Sequence, residues 1–382
     1  MSWTLGPDHL KDLARGAAIL GTGGGGDPFI GRLLVEQAMR EHGPVTVLDP
    51  EDLDDEAFVI PTAQMGAPTV IVEKIPRGTE PEMALQALET HLARKADATM
   101  PIECGGINSM IPLLVGARTG LPVVDADGMG RAFPELQMET FSVYGVPGSP
   151  MAIAGESAET VIIDTGTDNK QMEWLARGIT IRLGGVAHIA EYAMTGEQVK
   201  QTAVPRTLSL GLSIGRAVRE ARENNSDPIE ALRAALAPTL YSNLRVVFRG
   251  KVVDVERRTI EGFARGKAKF VSFEGDSDFV SFEGDSDMEI QFQNENLVAV
   301  VDGNVRCVVP DLICVLEADT GEPITTEGLR YGQRVTVVGI STPDMMRTPE
   351  ALDVFGPSCF GLDVPFRTVE SLIDDPVVAA RG

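Results

Sequence analysis

The chain has 382 residues, of which 43% are hydrophobic and 23% charged, and it carries a formal net charge of -23. This length predicts two domains, and the acidic balance argues against nucleic acids and anionic membrane surfaces as partners. No run approaches the roughly 20 apolar residues of a membrane span, the first residues lack a signal-peptide pattern, and the four scattered cysteines form no CxxC pair. We therefore expect a cytoplasmic globular protein without a disulfide framework or a structural zinc site.

Helices and strands alternate in the pattern of residues 1–166. Helical spacing of apolar residues predicts helices over 8–20, 28–39, 81–95 and 108–118. Between them lie short β-branched runs that are typical of buried strands, at 45–48, 58–60, 69–72, just before Glu103, and at 121–124. This alternation predicts an α/β N-terminal domain.

Residues 167–382 have a different pattern. A helix is predicted over 207–223, in which Gly211 and Gly215 lie four residues apart and would allow another backbone to pack closely. From Asn243 onward the pattern is of β type, with runs at 244–248, 252–255, 288–292, 297–301, 305–309, 312–316 and 334–339. The prediction is a helical connection followed by a β-rich α+β C-terminal domain.

One nonapeptide occurs twice in tandem, at 270–278 and again at 279–287. A single nine-residue duplication is too short for a repeat architecture. We interpret it as a lengthened hairpin loop, and we rank calcium binding by its acidic groups as the less favoured alternative.

The glycine-rich run near the N-terminus is the first candidate site. Five of the residues 21–26 are glycines, and Asp27 and Pro28 fit the N-cap and the first position of a following helix. A glycine loop that leads into a helix N-terminus favours binding of an anionic group. The spacing also fits the GxGxxG fingerprint, with Asp49 at a suitable distance, so a nucleotide site and a purely structural turn stay open. The candidate substrate-binding residues in this loop are Gly23, Gly24, Gly25, Gly26 and Asp27.

A second cluster lies at a predicted strand-to-helix turn. Glu103 is a candidate general base, and Asn108 could orient a substrate amide or cap the helix. Cys104 is a candidate nucleophile if a helix end stabilises its thiolate, although a buried structural cysteine is the favoured reading.

A third cluster follows the predicted strand at 121–124. Asp125, Asp127, Arg131 and Glu135 crowd one loop, where they could coordinate a divalent ion or place a protonated carboxyl beside an ionised one. The alternative is structural, with Asp125 capping a turn and Arg131 neutralising Glu135. We favour the functional interpretation because so many polar groups lie in one loop that follows a strand.

Taken together, several motifs resemble those of the S-methyl thiohydantoin desulfurase family. The resemblance covers nearly the whole chain, in order, at 21–28, 103–108, 125–138, 292–297, 310–313, 320–324, 331–335 and 356–361. It implies an N-terminal α/β domain, a β-rich C-terminal domain, and hydrolysis of an S-methylated thiohydantoin to a hydantoin with release of methanethiol. Members occur beside hydantoinase- and oxoprolinase-like proteins, which implies such a partner and a varied set of substrates.

The predicted function is therefore hydrolysis of an S-methylated thiohydantoin or a related cyclic amide or amidine. Asp125 or Asp127, alone or through a metal-bound water, would activate water, and Glu103 and Glu135 complete the acid–base candidates. Arg131 and Asn108 would bind the ring oxygen or a substrate carboxylate. The alternatives are an NAD- or nucleotide-binding enzyme and a non-catalytic, anion-binding subunit of a hydantoinase-like system. The expected partners are a small heterocyclic substrate and further copies of the chain.

Overall fold

A computed structural model describes residues 2–67, 70, 77–260, 262–273 and 286–374. Most of the tandem nonapeptide, and with it the predicted hairpin loop, lies outside these residues. The same holds for most of the strand predicted over 69–72.

The helices of the described residues fall mainly in the first two thirds of the chain. They are α1 (Leu10–Leu20), α2 (Pro28–His42), α3 (Glu80–Leu92), α4 (Ile111–Thr119), α5 (Thr140–Val143), α6 (Asn169–Arg182), α7 (Gly196–Thr202), α8 (Thr207–Glu223), α9 (Pro228–Leu236), α10 (Pro349–Phe355) and α11 (Val369–Ile373). None of these described helices is long and apolar enough to cross a membrane.

The strands before residue 206 have two to nine residues. They are β1 (Trp3–Leu5), β2 (Val45–Leu48), β3 (Phe58–Gly66), β4 (Ala98–Met100), β5 (Val123–Val124), β6 (Ala126–Asp127), β7 (Met151–Ala154), β8 (Thr160–Ile163), β9 (Val186–Ala190), β10 (Met194–Thr195) and β11 (Val204–Pro205). Those that follow are β12 (Leu244–Ile260), β13 (Phe263–Ser272), β14 (Asp287–Gln293), β15 (Glu295–Val301), β16 (Asn304–Val308), β17 (Leu312–Glu317) and β18 (Arg334–Ile340).

The N-terminal sheet has a parallel centre. Strands β2, β5, β4 and β3 lie side by side in parallel, and β1 pairs with β2 in the antiparallel sense. The carboxyl ends of parallel strands meet at one edge of a sheet, where ligand sites of α/β folds usually lie. The loops after β4 and β5, which carry Glu103 and Asp125, begin at that edge.

Strands β9, β7 and β8 continue this sheet beyond β3 in the antiparallel sense. Strand β9 pairs along the second half of β3, with Thr62 opposite Ala190 and Gly66 opposite Val186. The polypeptide thus returns to its first sheet after residue 166.

The C-terminal sheet is antiparallel throughout and curls into a half-barrel. Its strand order is β16-β15-β14-β13-β12-β18-β17. Strand β12 is a single long strand where the sequence predicts two, and its register shifts between Val246 and Phe248 and between Val252 and Asp254. The architecture confirms the predicted α/β N-terminal domain and β-rich C-terminal domain.

Helices α1 and α8 pack backbone against backbone. A Cβ on Gly16 would lie 1.8 Å from the carbonyl oxygen of Gly211, and a Cβ on Gly215 would lie 1.8 Å from the carbonyl oxygen of Asp12. This contact confirms the close approach predicted from Gly211 and Gly215. It holds α1, whose C-terminal end leads into the glycine loop, against α8.

One hydrophobic cluster spans both domains. It includes Val59 and Ile153 of the first sheet together with Val308 and Val338 of the second, all buried. The two sheets therefore share an apolar core, and the polar residues described next lie where the domains meet.

Candidate active site

The glycine loop follows a helix and not a strand. Gly21 caps α1, and Thr22, Gly23, Gly25 and Gly26 have positive φ angles of 46°, 92°, 71° and 75°. A dinucleotide fingerprint requires a preceding strand, so the GxGxxG spacing lacks its structural context here. The chain reverses direction in this loop, which is possible because glycine tolerates positive φ angles.

The loop is clamped onto the C-terminal domain. Thr22 Oγ1 donates to the carbonyl oxygen of Ile313 at 3.0 Å and accepts from the amide of Ile313 at 2.9 Å. The amide of Asn296 donates to the carbonyl of Thr22, and the amide of Thr326 donates to the carbonyl of Gly23. The domain junction therefore runs through this turn.

Close packing explains several of the glycines. A Cβ on Gly24 would lie 2.2 Å from Glu295 Oε1, and a Cβ on Gly106 would lie 2.1 Å from the carbonyl oxygen of Gly25. The amide of Gly24 donates to the carbonyl of Gly21, and that of Gly25 donates to Glu295. These two amides are bound within the protein instead of facing a phosphate.

Asp27 lies at the start of α2, as the sequence predicts. Its side chain accepts a hydrogen bond from the amide of Phe29 at 2.8 Å, and Pro28 occupies the first helical turn. Asp27 is exposed and lines a surface groove beside Arg15 and Glu322. Its place is on a different surface from the cavity described below.

Glu103 lies in the loop after β4 and is only 4% exposed. Its Oε1 accepts from Asn108 Nδ2 at 2.7 Å, whereas its Oε2 has no hydrogen-bond partner among the described residues. Burial raises the pKa of Glu103 well above its ordinary value, and the negative charge of Glu295 adds to this effect. Glu103 therefore favours the protonated state more than an exposed glutamate does.

Asn108 fixes the orientation of Glu103. Its Oδ1 accepts from the amide of Gln64 at 2.7 Å, and its Nδ2 also donates to the carbonyl of Gln64 at 3.0 Å. The side chain is thus held from both ends of its amide by the backbone of β3. It acts on Glu103 as a rigid support.

A narrow cavity of about 50 Å³ lies between the loop after β4, the end of β3 and the first residues of β15. Its polar lining comprises Gln64, Glu103, Asn108, Glu135, Arg177, Asn294 and Glu295. Apolar contacts come from Met65, Ile102, Ile107, Met129, Phe133 and Leu136, while Gly25 and Gly26 contribute backbone. A cavity of this volume is too small to enclose a dinucleotide.

Four polar residues of the cavity, Gln64, Arg177, Asn294 and Glu295, are not among the candidates predicted from the sequence, and Glu295 is the carboxyl among them. It begins β15, is 2% exposed, and accepts at Oε1 from the amide of Gly25 at 3.0 Å. Burial raises its pKa to about 8, although the positive charge of Arg131 opposes this shift. A sequence signal existed, since polar residues 293–296 interrupt two apolar strands.

The loop after β5 places its two aspartates outside this cavity lining. Asp125 accepts from the amide of Ser209 at 3.0 Å and from the Ser209 hydroxyl, so it caps the first turn of α8. Asp127 Oδ2 accepts from the amides of Cys104, Met129 and Gly130 at 2.9, 3.1 and 2.8 Å. Burial raises the pKa of Asp127 to about 6, and these amides oppose the shift.

Arg131 is fully buried between the domains. Its guanidinium donates to the backbone carbonyls of Ala132, Pro310, Asp311 and Asn296. Burial lowers its pKa to about 10, which leaves it charged at neutral pH. Arg131 thus joins the acidic loop to the C-terminal domain and does not line the cavity.

Glu135 lines the mouth of the cavity together with Arg177. Glu135 accepts from Gln137, while Arg177 donates to Glu173 at 2.7 Å and to the carbonyl of Pro134 at 2.9 Å. No ion pair joins Glu135 to Arg131 among the described contacts, in contrast to the structural alternative considered from the sequence.

Cys104 is buried as an uncharged thiol. Burial raises its pKa well above its ordinary value, and the charges of Asp127 and Glu103 act in the same direction. Since the thiolate is the nucleophile, this environment favours the structural reading of Cys104. Among the described residues, no group of three or more His, Cys, Asp or Glu side chains could hold a metal ion.

Two further carboxyls, those of Glu139 and Glu191, are fully buried and lie outside the cavity lining. None of their four carboxyl oxygens has a hydrogen-bond partner among the described residues. Burial holds the pKa of each well above its ordinary value, and the charge of Glu191 adds to the effect on Glu139.

Fold and site together define a two-domain protein with an acid-lined cavity at the junction of an α/β domain and an antiparallel half-barrel. The chain belongs to the S-Me-THD-like family: the family's N-terminal domain matches residues 8–165, and its C-terminal domain matches residues 167–369. This match confirms the family resemblance inferred from the sequence motifs.

The chain is also similar to a solved structure, that of a protein from Chromobacterium violaceum. The two are 24% identical with a TM-score of 0.79, and the match covers 96% of this chain and 99% of that one. At this identity the likeness shows the fold alone. Comparison with curated proteins gives no match.

Proposed function

We propose that this protein is a hydrolase that converts an S-methylated thiohydantoin, or a related cyclic amide or amidine, to a hydantoin-type ring with release of a thiol. Membership of the S-Me-THD-like family supports this reaction class. The observation that carries the proposal is the buried Glu103 carboxyl, which presents an unpartnered oxygen in the cavity at the domain junction.

The reaction needs a group that can move a proton at the ring. Water must lose a proton as it attacks the ring carbon, and the departing thiolate must gain one. Glu103 suits this role because burial raises its pKa well above that of an exposed carboxyl, which allows it to hold a proton. Asn108 holds the carboxyl in place, so little reorganisation is needed during the reaction.

The cavity walls fit a flat heterocycle. Phe133 and Met129 offer apolar contact to one ring, and Gln64 Oε1, buried and without a partner among the described residues, offers an acceptor to a ring N–H. Arg177 at the mouth provides a positive charge for an acidic substituent. We assign proton transfer to the carboxyls of this cavity instead of Asp125 and Asp127, because neither aspartate lines it.

The test is thiol release from a panel of S-methylated thiohydantoins, measured with a thiol reagent. Glu103→Gln should lower kcat by about 10²- to 10⁴-fold, because it removes proton transfer but keeps the hydrogen bond to Asn108. The matched control is Glu89→Gln, which changes a buried glutamate that accepts from the amide of Ala96 and lies outside the cavity lining.

The control variant should turn over as the unaltered protein does. The proposal is wrong if the unaltered protein releases no thiol from any ring of this class. Unchanged kcat in the folded Glu103→Gln protein would remove Glu103 from the mechanism.

A further inference from the structure

Glu295 reaches the cavity from the other domain. Its Oε1 is held by the amide of Gly25, and its Oε2 has no hydrogen-bond partner among the described residues. The cavity is therefore lined by two buried carboxyls, Glu103 and Glu295, each with one oxygen bound by the protein and one oxygen free.

The two carboxyls interact electrostatically. The charge of Glu295 is the main charged influence that destabilises ionised Glu103, and the charge of Asp127 acts in the same direction. Glu295 itself faces the positive charge of Arg131 and the negative charge of Glu327. Two neighbouring carboxylates in a site of low dielectric cannot both ionise easily, so one of them retains a proton.

We infer that Glu295 is a second catalytic carboxyl and that it shares one proton with Glu103 across the domain junction. This inference rests on the proposed hydrolysis. At any moment one carboxyl is the acid and the other is the base, and the structure does not require the same member to play each role in every step.

The proton balance closes with this pair. The protonated carboxyl gives its proton to the ring nitrogen of the C=N bond while the ionised one takes a proton from water, whose oxygen bonds to the ring carbon. The newly protonated carboxyl then gives its proton to the sulfur as the C–S bond breaks. The other takes the hydroxyl proton as the C=O bond forms. Water is consumed, methanethiol leaves, and both carboxyls return to their starting states.

Glu295→Gln tests this role with little change of structure, because a glutamine oxygen can still accept from the Gly25 amide. We expect kcat to fall by about 10²- to 10⁴-fold with a smaller change in KM. The pH profile of kcat should also lose one of its two limbs, since one titrating group is gone. The matched control is Glu89→Gln, a buried carboxyl outside the cavity lining that is not among the charges acting on Glu295.

Glu89→Gln should keep both limbs and near-normal kcat. The inference is overturned if the folded Glu295→Gln protein keeps a two-limbed profile and normal kcat.

A second measurement separates this inference from the proposed function. Infrared spectroscopy can follow the titration of buried carboxyls without any turnover. In Glu295→Gln, the pKa of Glu103 should fall, because the negative charge of Glu295, which raises it, is removed. An unchanged titration would refute the shared proton even if the protein is a hydrolase. A lowered pKa in a protein that releases no thiol would support the pair and refute the reaction.

Discussion

Gly16 in α1 is the position where one methyl group should have the largest effect on the helix pair that supports the glycine loop. A Cβ there would lie 1.8 Å from the carbonyl oxygen of Gly211 and 2.5 Å from its carbon, both of them backbone atoms of α8. Ordinary contact begins near 3.4 Å. Gly16→Ala therefore requires α1 and α8 to separate by about 1.6 Å at this point.

Two opposing effects set the magnitude. Overpacking of a well-packed contact costs about 1–3 kcal/mol, and moving two whole helices places this case at the upper end. Alanine is favoured over glycine within a helix by about 1 kcal/mol. We expect a net loss of about 2 kcal/mol in the free energy of unfolding.

Gly178→Ala provides the matched control. Gly178 also lies inside a helix, α6, but a Cβ there would have no atom within 4 Å. Only the helix propensity changes, so this variant should gain about 0.5–1 kcal/mol. Urea denaturation followed by circular dichroism would measure both variants. If Gly16→Ala unfolds at the same urea concentration as Gly178→Ala or at a higher one, the backbone contact between α1 and α8 is wrong.

Three further changes have defined outcomes. Arg131→Met leaves four backbone carbonyls without their side-chain donor, and one buried acceptor left unsatisfied costs about 1–3 kcal/mol. The free energy of unfolding should fall by at least that amount, and an unchanged unfolding temperature in calorimetry would contradict this. Glu139 binds a proton in the folded protein that the unfolded chain releases above its ordinary pKa of 4.5, so stability is lost as the pH rises through the raised folded pKa. Glu139→Gln should remove up to about 1.4 kcal/mol per pH unit of this loss. Urea midpoints between pH 5 and pH 8 would measure it, and an equal slope of stability against pH in both proteins would refute it. Asn108→Ala removes the hydrogen bond that lowers the pKa of Glu103, so the limb of the kcat profile that reports Glu103 should move to higher pH, and a limb that stays in place would argue against the support role.

Local patterns predicted most of the fold because they depend on neighbouring residues. Asp27 and Pro28 identified the start of α2, and the spacing of Gly211 and Gly215 identified a helix that packs closely on another. The two predicted runs at 244–248 and 252–255 are one strand because Gly250, between them, continues the pairing with both β13 and β18. Periodicity alone cannot distinguish a glycine within a strand from a turn.

The candidate site was predicted less completely because it is assembled across the chain. Glu103 and Asn108 were identified from their place after a strand, and both line the cavity. Glu295 comes from a strand 192 positions later, and no local pattern links it to Glu103. Asp125 and Asp127 stay untested as acid–base residues, but both lie outside the cavity lining, and a carboxylate that caps amides has the same local sequence signature as one that moves protons.

Strand β9 links the two family domains, because it follows the first domain in sequence but belongs to its sheet. The family's N-terminal domain ends at residue 165, but the edge of β3 from Thr62 to Gly66 is covered by residues 186–190. A fragment that stopped at residue 165 would expose that edge, and unpaired edges of this kind promote aggregation. The boundary between the two family domains is thus not a boundary between two folding units. Any recombination that exchanged the second half of the chain would also replace a strand of the first sheet.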